Sequence, residues 1–578
     1  MSTAQAPSHS IWQVSRTPVS GTGGVVGAKT PQAVAAGIQM LAKGGNAIDA
    51  AVATAFTVGV TEPWMNGLGG GGFMVVWLAK ERRSLVIEYP MISPLAATET
   101  MFPLSGGVDS ALFGWPSVVG NANVLGFQSI AVPGTVAGLA LALERYGTLS
   151  LATVLESAIV AAEEGIPVTW HTTLMEARDL GNLQRFPSTA KVFLSGQGNP
   201  LVSIEQTNPS FLRQPDLAAT LRTLAEQGPR AFYEGEIAIR IVDFLQENGA
   251  ILTREDFAAY QALDEPTISV DYHGATVHTM GKGTGGTSLA QSLRMLNAVD
   301  LASAGHGTPE SLHLLAQAFR QAFADRFAYL ADPDTTEVPV DGLLDPAYAA
   351  ECVARWREDA LPSIAAGTKE RLGIAHTLAG SVPEYARDGS TTHLGVIDGE
   401  GNAVSLTQTL LSGWGSRVVA EGTGVLLNNG MMWFDPEPGR PNSVGGRKRP
   451  LTNMAPALVT RGDRILASVG SSGGRKIMNA NAQIVTNIVD YGLDVHAALE
   501  SPRIDASPRQ LIASSRFPQA TLDRLSSLGH AVVTRDETQL TGDFASPVAI
   551  VRNHDGTISG AADPWYFPAT VGAIDPEN

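Results

Sequence analysis

Two short stretches of this chain carry hydroxyl groups placed to attack a carbonyl carbon. The first is Gly470-Ser471-Ser472-Gly473-Gly474. It satisfies G-x-S-x-G, follows a β-rich run at 465–469 and precedes a helical pattern, the setting of a serine nucleophile on a tight strand-to-helix turn. Downstream, Asp490 or Asp494 and His496 or His530 stand in the chain order of that serine's partners. The same turn also reads as a glycine-rich loop whose free N–H groups hold an anion, and the pattern leaves both open. The second stretch is Asp388-Gly389-Ser390-Thr391-Thr392-His393, ahead of another β-rich arm. A threonine hydroxyl is a weak nucleophile, but breaking the Ser390–Thr391 bond would set a new α-amine beside Oγ as its base. An α-amine has an ordinary pKa of about 7.7–8.0, suited to accepting a proton near neutrality. Taken alone, this stretch is also an ordinary Ser/Thr-rich turn.

The elements that must carry these groups have readable punctuation. Thr30 before Pro31 starts a helix with Val34, Ile38 and Leu41 on one stripe, and Gly44-Gly45 ends it. Asn46 with Asp49 three residues on caps a second helix, Leu217, Leu221 and Leu224 mark a third, and Thr253 with Asp256 forms a capping-box pattern. Beyond residue 390 the texture turns to hairpins, around 398–402, 461–463 and 553–556, with helical patterns at 476–491 and 517–528. Sheets covered by helices are expected. The uncharged stretch 110–143, broken by prolines and glycines, reads as buried loops and strand edges rather than a membrane span.

Composition narrows the function classes. The chain has 578 residues, a net charge of −17 and only 16% charged residues, so it can bury a large core and repels nucleic acid or an anionic membrane surface. A small molecule is the expected partner. The single cysteine, Cys352, offers neither a disulfide nor a thiolate metal cluster, and it is expected in the core. Gly69 to Gly72 lack the Lys-Ser/Thr of a phosphate loop, and the 11 histidines form no H-E-x-x-H set, so no cofactor and no metal are expected. The N-terminal residues lack a charged-then-apolar leader, which makes the cytoplasm the expected location.

Several ordered motifs together resemble the gamma-glutamyltranspeptidase family. They are Gly44-Gly-Asn-Ala-Ile-Asp-Ala-Ala51, Gly69-Gly-Gly-Gly-Phe-Met74, Val132-Pro-Gly-Thr-Val-Ala-Gly138, Ala324-Asp-Arg326 with Asp332-Pro-Asp334, the run 389–410, Gly424-Val-Leu-Leu-Asn-Asn429, Lys448-Arg-Pro-Leu451, Gly470 to Gly474 and Asp490-Tyr-Gly-Leu493. The resemblance implies an N-terminal-nucleophile hydrolase of the α/β (α+β) class, a four-layer αββα sandwich that cleaves itself. It places the cut between Ser390 and Thr391, giving a large subunit 1–390 and a small subunit 391–578 that stay together as a heterodimer. It makes Thr391 the nucleophile, Thr409 its assisting hydroxyl, and the N–H groups of Gly473 and Gly474 the oxyanion hole. Ser472 then becomes structural, and His393 a hydrogen-bonding residue.

This sequence departs from the family where substrate is bound. Pro90 occupies the place of the arginine that holds the γ-glutamyl α-carboxylate, and Leu411 that of a substrate-contacting asparagine. Gly430 and Trp433 replace the glutamine and aspartate that receive the α-ammonium, and Thr452 and Asn453 replace paired serines. Charged groups entering such a pocket would lose hydration with little return. An apolar acyl pocket from Leu411, Met431, Met432 and Trp433 is expected instead, with Arg475 a candidate partner for an acidic acyl group. The segment 434–448 is short for the family's lid, and an open cleft favours water as acceptor. The pattern is closer to the acylase branch, which includes cephalosporin acylases. The competing expectations are γ-glutamyl transfer on glutathione-like amides, a Ser472 hydrolase, and a binding protein without catalysis.

Overall fold

Alternation of apolar residues along the strands dictates a layered structure, and the layers are present. The computed structural model describes residues 14–109, 114–205, 208–356, 360, 364–374, 390–539 and 542–575; Asp388, Gly389 and the first 13 residues of the chain lie outside these. Among the described residues, two seven-stranded sheets stack face to face. One sheet runs Thr570–Ile574, Gly24–Ala28, Thr392–Asp398, Ala403–Thr409, Gly71–Leu78, Arg83–Tyr89, Leu263–Glu265. The other runs Val19–Gly21, Ile558–Ala562, Ser546–Arg552, Arg464–Ser472, Ala457–Arg461, Ala275–Thr279, Ile268–Tyr272. Strands from both sides of residue 390 are paired with one another in each sheet, so the Ser390–Thr391 bond is not a boundary of the fold.

Three apolar clusters hold the four layers together. On the outer face of the first sheet, Leu394, Val396, Val404 and Leu406 pack with Val52, Val58 and Val154 from the helices Ala47–Thr61 and Leu151–Glu164. Between the sheets lie Val25, Phe73, Val75, Ile397, Leu458 and Ile550. Outside the second sheet, Val277, Val459 and Ala549 meet the helices Gly285–Leu296, Pro309–Tyr329 and Lys476–Val489. Cys352 is buried in this last cluster. Polar bonds also cross the sheet gap, Ser405 Oγ to Val469 O at 2.9 Å and Ser468 Oγ to Val404 O at 2.8 Å. No helix among the described residues is long and apolar enough to cross a membrane.

The capping signals act as their chemistry requires. Thr30 Oγ1 accepts from the Ala33 N–H ahead of the helix Pro31–Ala42, and Asn46/Asp49 and Thr253/Asp256 form reciprocal capping boxes. The stretch 110–143 differs from its sequence reading, because the helix Thr135–Tyr146 begins inside it. Val136, Leu139 and Leu143 bury one stripe of that helix, and Gly138 reads as a break only in isolation. It is glycine for packing: a Cβ there would lie 2.1 Å from the buried Tyr89 ring. Gly138→Ala is therefore expected to destabilise the fold by about 1–3 kcal/mol through overpacking, measured by denaturant unfolding. An unchanged midpoint would refute that reading.

Candidate active site

Strand pairing sets the site. Thr392 pairs with Gln408 in the antiparallel register of Thr392–Asp398 with Ala403–Thr409, which brings Thr391 opposite Thr409. Because side chains alternate, Thr391, His393, Thr407 and Thr409 share the face toward the second sheet, while Thr392 faces the helices. His393 illustrates the first group: its ring accepts or donates at Nδ1 to Thr407 Oγ1, 2.9 Å away, and lies against Gly470 of the opposite sheet. A Cβ on Gly470 would sit 2.1 Å from that ring. Full burial and the nearby Lys29 cation hold His393 far below the usual histidine range, so it is a neutral packing residue and not a base.

At the start of the strand the Ser390–Thr391 peptide is the focus of two hydroxyls. Thr391 Oγ1 donates to its own preceding carbonyl, Ser390 O, and Thr409 Oγ1 donates to the same oxygen at 3.1 Å. Leu411 N–H in turn donates to Thr409 Oγ1 at 2.8 Å, aiming the hydroxyl proton at Ser390 O. Leu411 achieves this with φ of 94°, a backbone conformation uncommon outside glycine. Gly70 lets the first sheet close on this point, since a Cβ there would lie 2.3 Å from Thr409 O. The arrangement polarises one carbonyl and presents a nucleophile beside it, which is what an N→O acyl shift requires.

Ser390 and Thr391 open into a cavity of about 290 Å³. Its walls include Met65, Val124, Leu174, Met175, Met432, Phe544, Trp565 and Tyr566, with Ser472 and Gly473 at the edge of the second sheet. Gly473 and Gly474 have φ of 143° and 63°, turning the chain between the strand Arg464–Ser472 and the helix Lys476–Val489. Charged lining groups are engaged: Arg417 Nε bonds Asp179 Oδ2 at 2.7 Å, and Glu537 pairs with Arg516. Behind the threonines lies a buried charged cluster. Lys29 Nζ bonds Ser546 O at 2.7 Å and Ser546 Oγ at 2.6 Å, and burial lowers its pKa to about 8. Burial also raises the Glu62 carboxyl to about 8, and pushes Asp563 up.

The structure brings together Ser390, Thr391, Thr409 and Gly473, and does not bring the expected acyl-pocket residues to the cavity wall. Leu411, Met431 and Trp433 are buried in the cluster between the sheets, with Met432 alone of the four facing the cavity. Gly430 packs where a Cβ would meet Ala131 and Met91, its N–H bonded to Asn428. Thr452 O and Asn453 Oδ1 accept from the buried Arg326 at 2.6 and 2.9 Å. Arg475, near Arg326 and Asp505, is buried outside the cavity wall, with its pKa lowered by burial to about 10. At the place of the family's arginine, Pro90 O accepts from Tyr260 OH at 2.6 Å.

The serine alternative does not assemble. Ser472 Oγ faces Ser546 O at 3.4 Å, Asp490 is bonded to Tyr272 and His273, His530 to His313, and His496 to Glu500, while Asp494 caps the helix Val495–Glu500. The cavity residues from large-subunit segments, Met65, Leu174 and Met175, escaped the sequence reading because nothing local marks an apolar residue as facing a cavity rather than a core. The segment 434–448 folds down instead of covering the cleft: Asn442 Nδ2 bonds Trp433 O at 2.6 Å, and Lys448 Nζ bonds Pro441 O and Ser443 O, each at 2.9 Å.

Comparison with known proteins identifies the family. Residues 33–571 match the family described as gamma-glutamyltranspeptidase. The chain is 36% identical to the Acylase ACY 1 proenzyme of Pseudomonas sp. (strain SE83), over 97% of this chain and 95% of that protein. It is 34% identical to the glutathione hydrolase proenzyme of Escherichia coli (strain K12), over 95% and 91%. Among solved structures, the cephalosporin acylase from Bacillus halodurans superposes with a TM-score of 0.84 at 27% identity, covering 99% of both chains.

Two substitutions test the geometry at the peptide bond. Thr391→Ala is expected to leave one chain of 60.6 kDa in intact-mass measurement under denaturing conditions. Thr409→Val, which deletes one donor to the scissile carbonyl, is expected to slow splitting by about 10²-fold; wild-type splitting rates in either variant would contradict the arrangement.

Proposed function

This chain belongs to the gamma-glutamyltranspeptidase family, and from that premise we propose that it is a self-processing acylase in which Thr391 takes the acyl group of a small-molecule amide and water releases it. The observation that carries the reading is the convergence of Thr391 Oγ1 and Thr409 Oγ1 on Ser390 O. In processing, Thr391 Oγ attacks the Ser390 carbonyl carbon, the Ser390–Thr391 C–N bond breaks, and the hydroxyl proton ends on the departing nitrogen. Water then hydrolyses the resulting ester, leaving a Ser390 carboxylate and a free Thr391 hydroxyl and α-amine. Subunits 1–390 and 391–578 stay associated through the interleaved sheets.

Turnover repeats the same chemistry on an outside amide. The α-amine accepts the Oγ proton, Oγ forms an ester with the acyl carbon, and the leaving amine receives the proton. The N–H groups of Gly473 and Gly474 stabilise the tetrahedral oxyanion from the turn at the cavity edge, with Thr409 directing the nucleophile. The ester formed in processing is the same kind of bond as the acyl-enzyme, so the surroundings of Ser390 report on the acyl site. There, Ser390 Oγ donates to Met65 Sδ at 3.0 Å, beside Met175, Leu174 and Met432. Such walls favour an uncharged, apolar or aromatic acyl group over a γ-glutamyl zwitterion, because charged groups of the lining are already engaged, Arg417 by Asp179, Glu537 by Arg516 and Arg503 by Leu499 O. No residue of 434–448 lines the cavity, which supports water over a discriminating amine as acceptor.

Hydrolysis of phenylacetyl-, glutaryl- and γ-glutamyl-4-nitroanilide tests this reading, with phenylacetyl expected to give the highest kcat/KM. A preference for the γ-glutamyl compound would assign the chain to glutathione-type amides instead. The base is expected to be the α-amine, so kcat/KM should rise with pH through a single ionisation near 7.7–8.0 and then level off, because the neutral amine exists only above that pKa. A profile flat from pH 6 to 9 would exclude the amine as base.

A further inference from the structure

One turn of the large subunit touches the chain on both sides of both active-site threonines. The turn 62–66 follows the helix Ala47–Thr61. Its Met65 accepts from Ser390 Oγ at Sδ, 3.0 Å, and from Leu410 N–H at its carbonyl, 3.0 Å. Asn66 Oδ1 accepts from Gln408 Nε2 at 2.8 Å. Glu62 receives the Thr392 hydroxyl on Oε2, and Tyr566 OH on Oε1 at 2.5 Å. Trp64 Nε1 donates to that same tyrosine oxygen at 3.3 Å.

Glu62 is an expensive residue to keep in this place. Its carboxyl is fully buried, at the end of a helix where the macrodipole disfavours a negative charge. Neither step of the proposed mechanism uses it. What it holds is the side chain of Thr392, which points to the helix side while Thr391 points to the cavity. Cleavage removes the covalent tether on the N-terminal side of Thr391, and a strand's terminal residue frays unless its neighbours are tied down. The Thr392 backbone is paired with Gln408, and its side chain is pinned by Glu62. Lys29 is the charged group that acts on this carboxyl, and Lys29 in turn faces Asp563 and Arg16.

We propose that Glu62 is a positioning residue for the nucleophile, acting through the Thr392 hydroxyl and braced by Tyr566. The inference rests on Thr391 being the nucleophile. It fixes the rotation of the strand's first residues, so that the Thr391 hydroxyl and the new α-amine keep one geometry once the chain end is free.

Processed enzyme assayed with phenylacetyl-4-nitroanilide tests this. Glu62→Ala is expected to lower kcat by about 10–10²-fold with KM little changed, as displacement of a reacting group by about 1 Å does. Thr392→Val, which leaves Glu62 in place and serves if Glu62→Ala is not recovered folded, is expected to do the same. The double variant should be no worse than either single, since both break one contact. Glu62→Gln should restore most of kcat, because its amide oxygen still accepts from Tyr566 and its NH₂ donates to Thr392. Multiplying effects, a KM rise at unchanged kcat, or full activity in Glu62→Ala would overturn the proposal. Thr391→Ala separates the two readings: activity retained there refutes the nucleophile, whereas activity lost there but intact in Glu62→Ala refutes only the positioning role.

Discussion

The register between the strands Thr392–Asp398 and Ala403–Thr409 is the constraint on which the site depends. With Thr392 against Gln408, the two threonines meet at the open end of the ladder, and Thr409 reaches the carbonyl of Ser390. A slip of one residue would turn Thr391 toward the helices and His393 away from its niche over Gly470, exchanging the faces of the whole strand. The register is fixed by burial on both faces, with Leu394 and Val396 among the helices and Ile397 between the sheets. On its other edge the same strand pairs with Gly24–Ala28.

That position would let the Ser390–Thr391 bond break, as proposed, without loss of the fold. The Ser390–Thr391 bond lies just before the first ladder pair, so cleavage costs the sheet none of the pairs from Thr392 onward. Strands from before residue 390 flank strands from after it in both sheets, and separating the two sets would expose those edges. Arg326 adds a polar tie across the division by holding Thr452 and Asn453, while the neighbouring Asp325 accepts from Gly367 N–H at 2.7 Å on the large-subunit side.

Electrostatics follow the same economy. Few charges are present, and those near the site are buried in a cluster or paired at its rim, as with Lys29 on Ser546 and Arg417 on Asp179. Lysine and carboxyl groups kept from water move toward their neutral forms, so the buried cluster behind Thr391 carries less charge than its residue types imply. A hydroxyl suits that setting because it carries no charge at rest, and an α-amine with an ordinary pKa of about 7.7–8.0 loses its charge just above neutral pH.

The sequence by itself determined the helix caps, the hairpins, the class of sheets covered by helices and the family, because each is written in neighbouring residues or in motifs of fixed spacing. Through family resemblance it proposed Thr391, Thr409 and the Gly473–Gly474 turn as a set, and the structure brings Ser390, Thr391, Thr409 and Gly473 together. Tertiary structure alone decided which apolar residues face the cavity. Trp433 and Leu411 went to the core between the sheets and Met65, Leu174 and Met175 to the cleft, a choice made by packing between segments hundreds of residues apart. It also decided that Ser472 lacks its partners and that Glu62 stands behind the nucleophile. A carboxylate at a helix end has the same local sequence whether it meets water or a buried threonine hydroxyl, and only the folded sandwich brings residue 62 to residue 392.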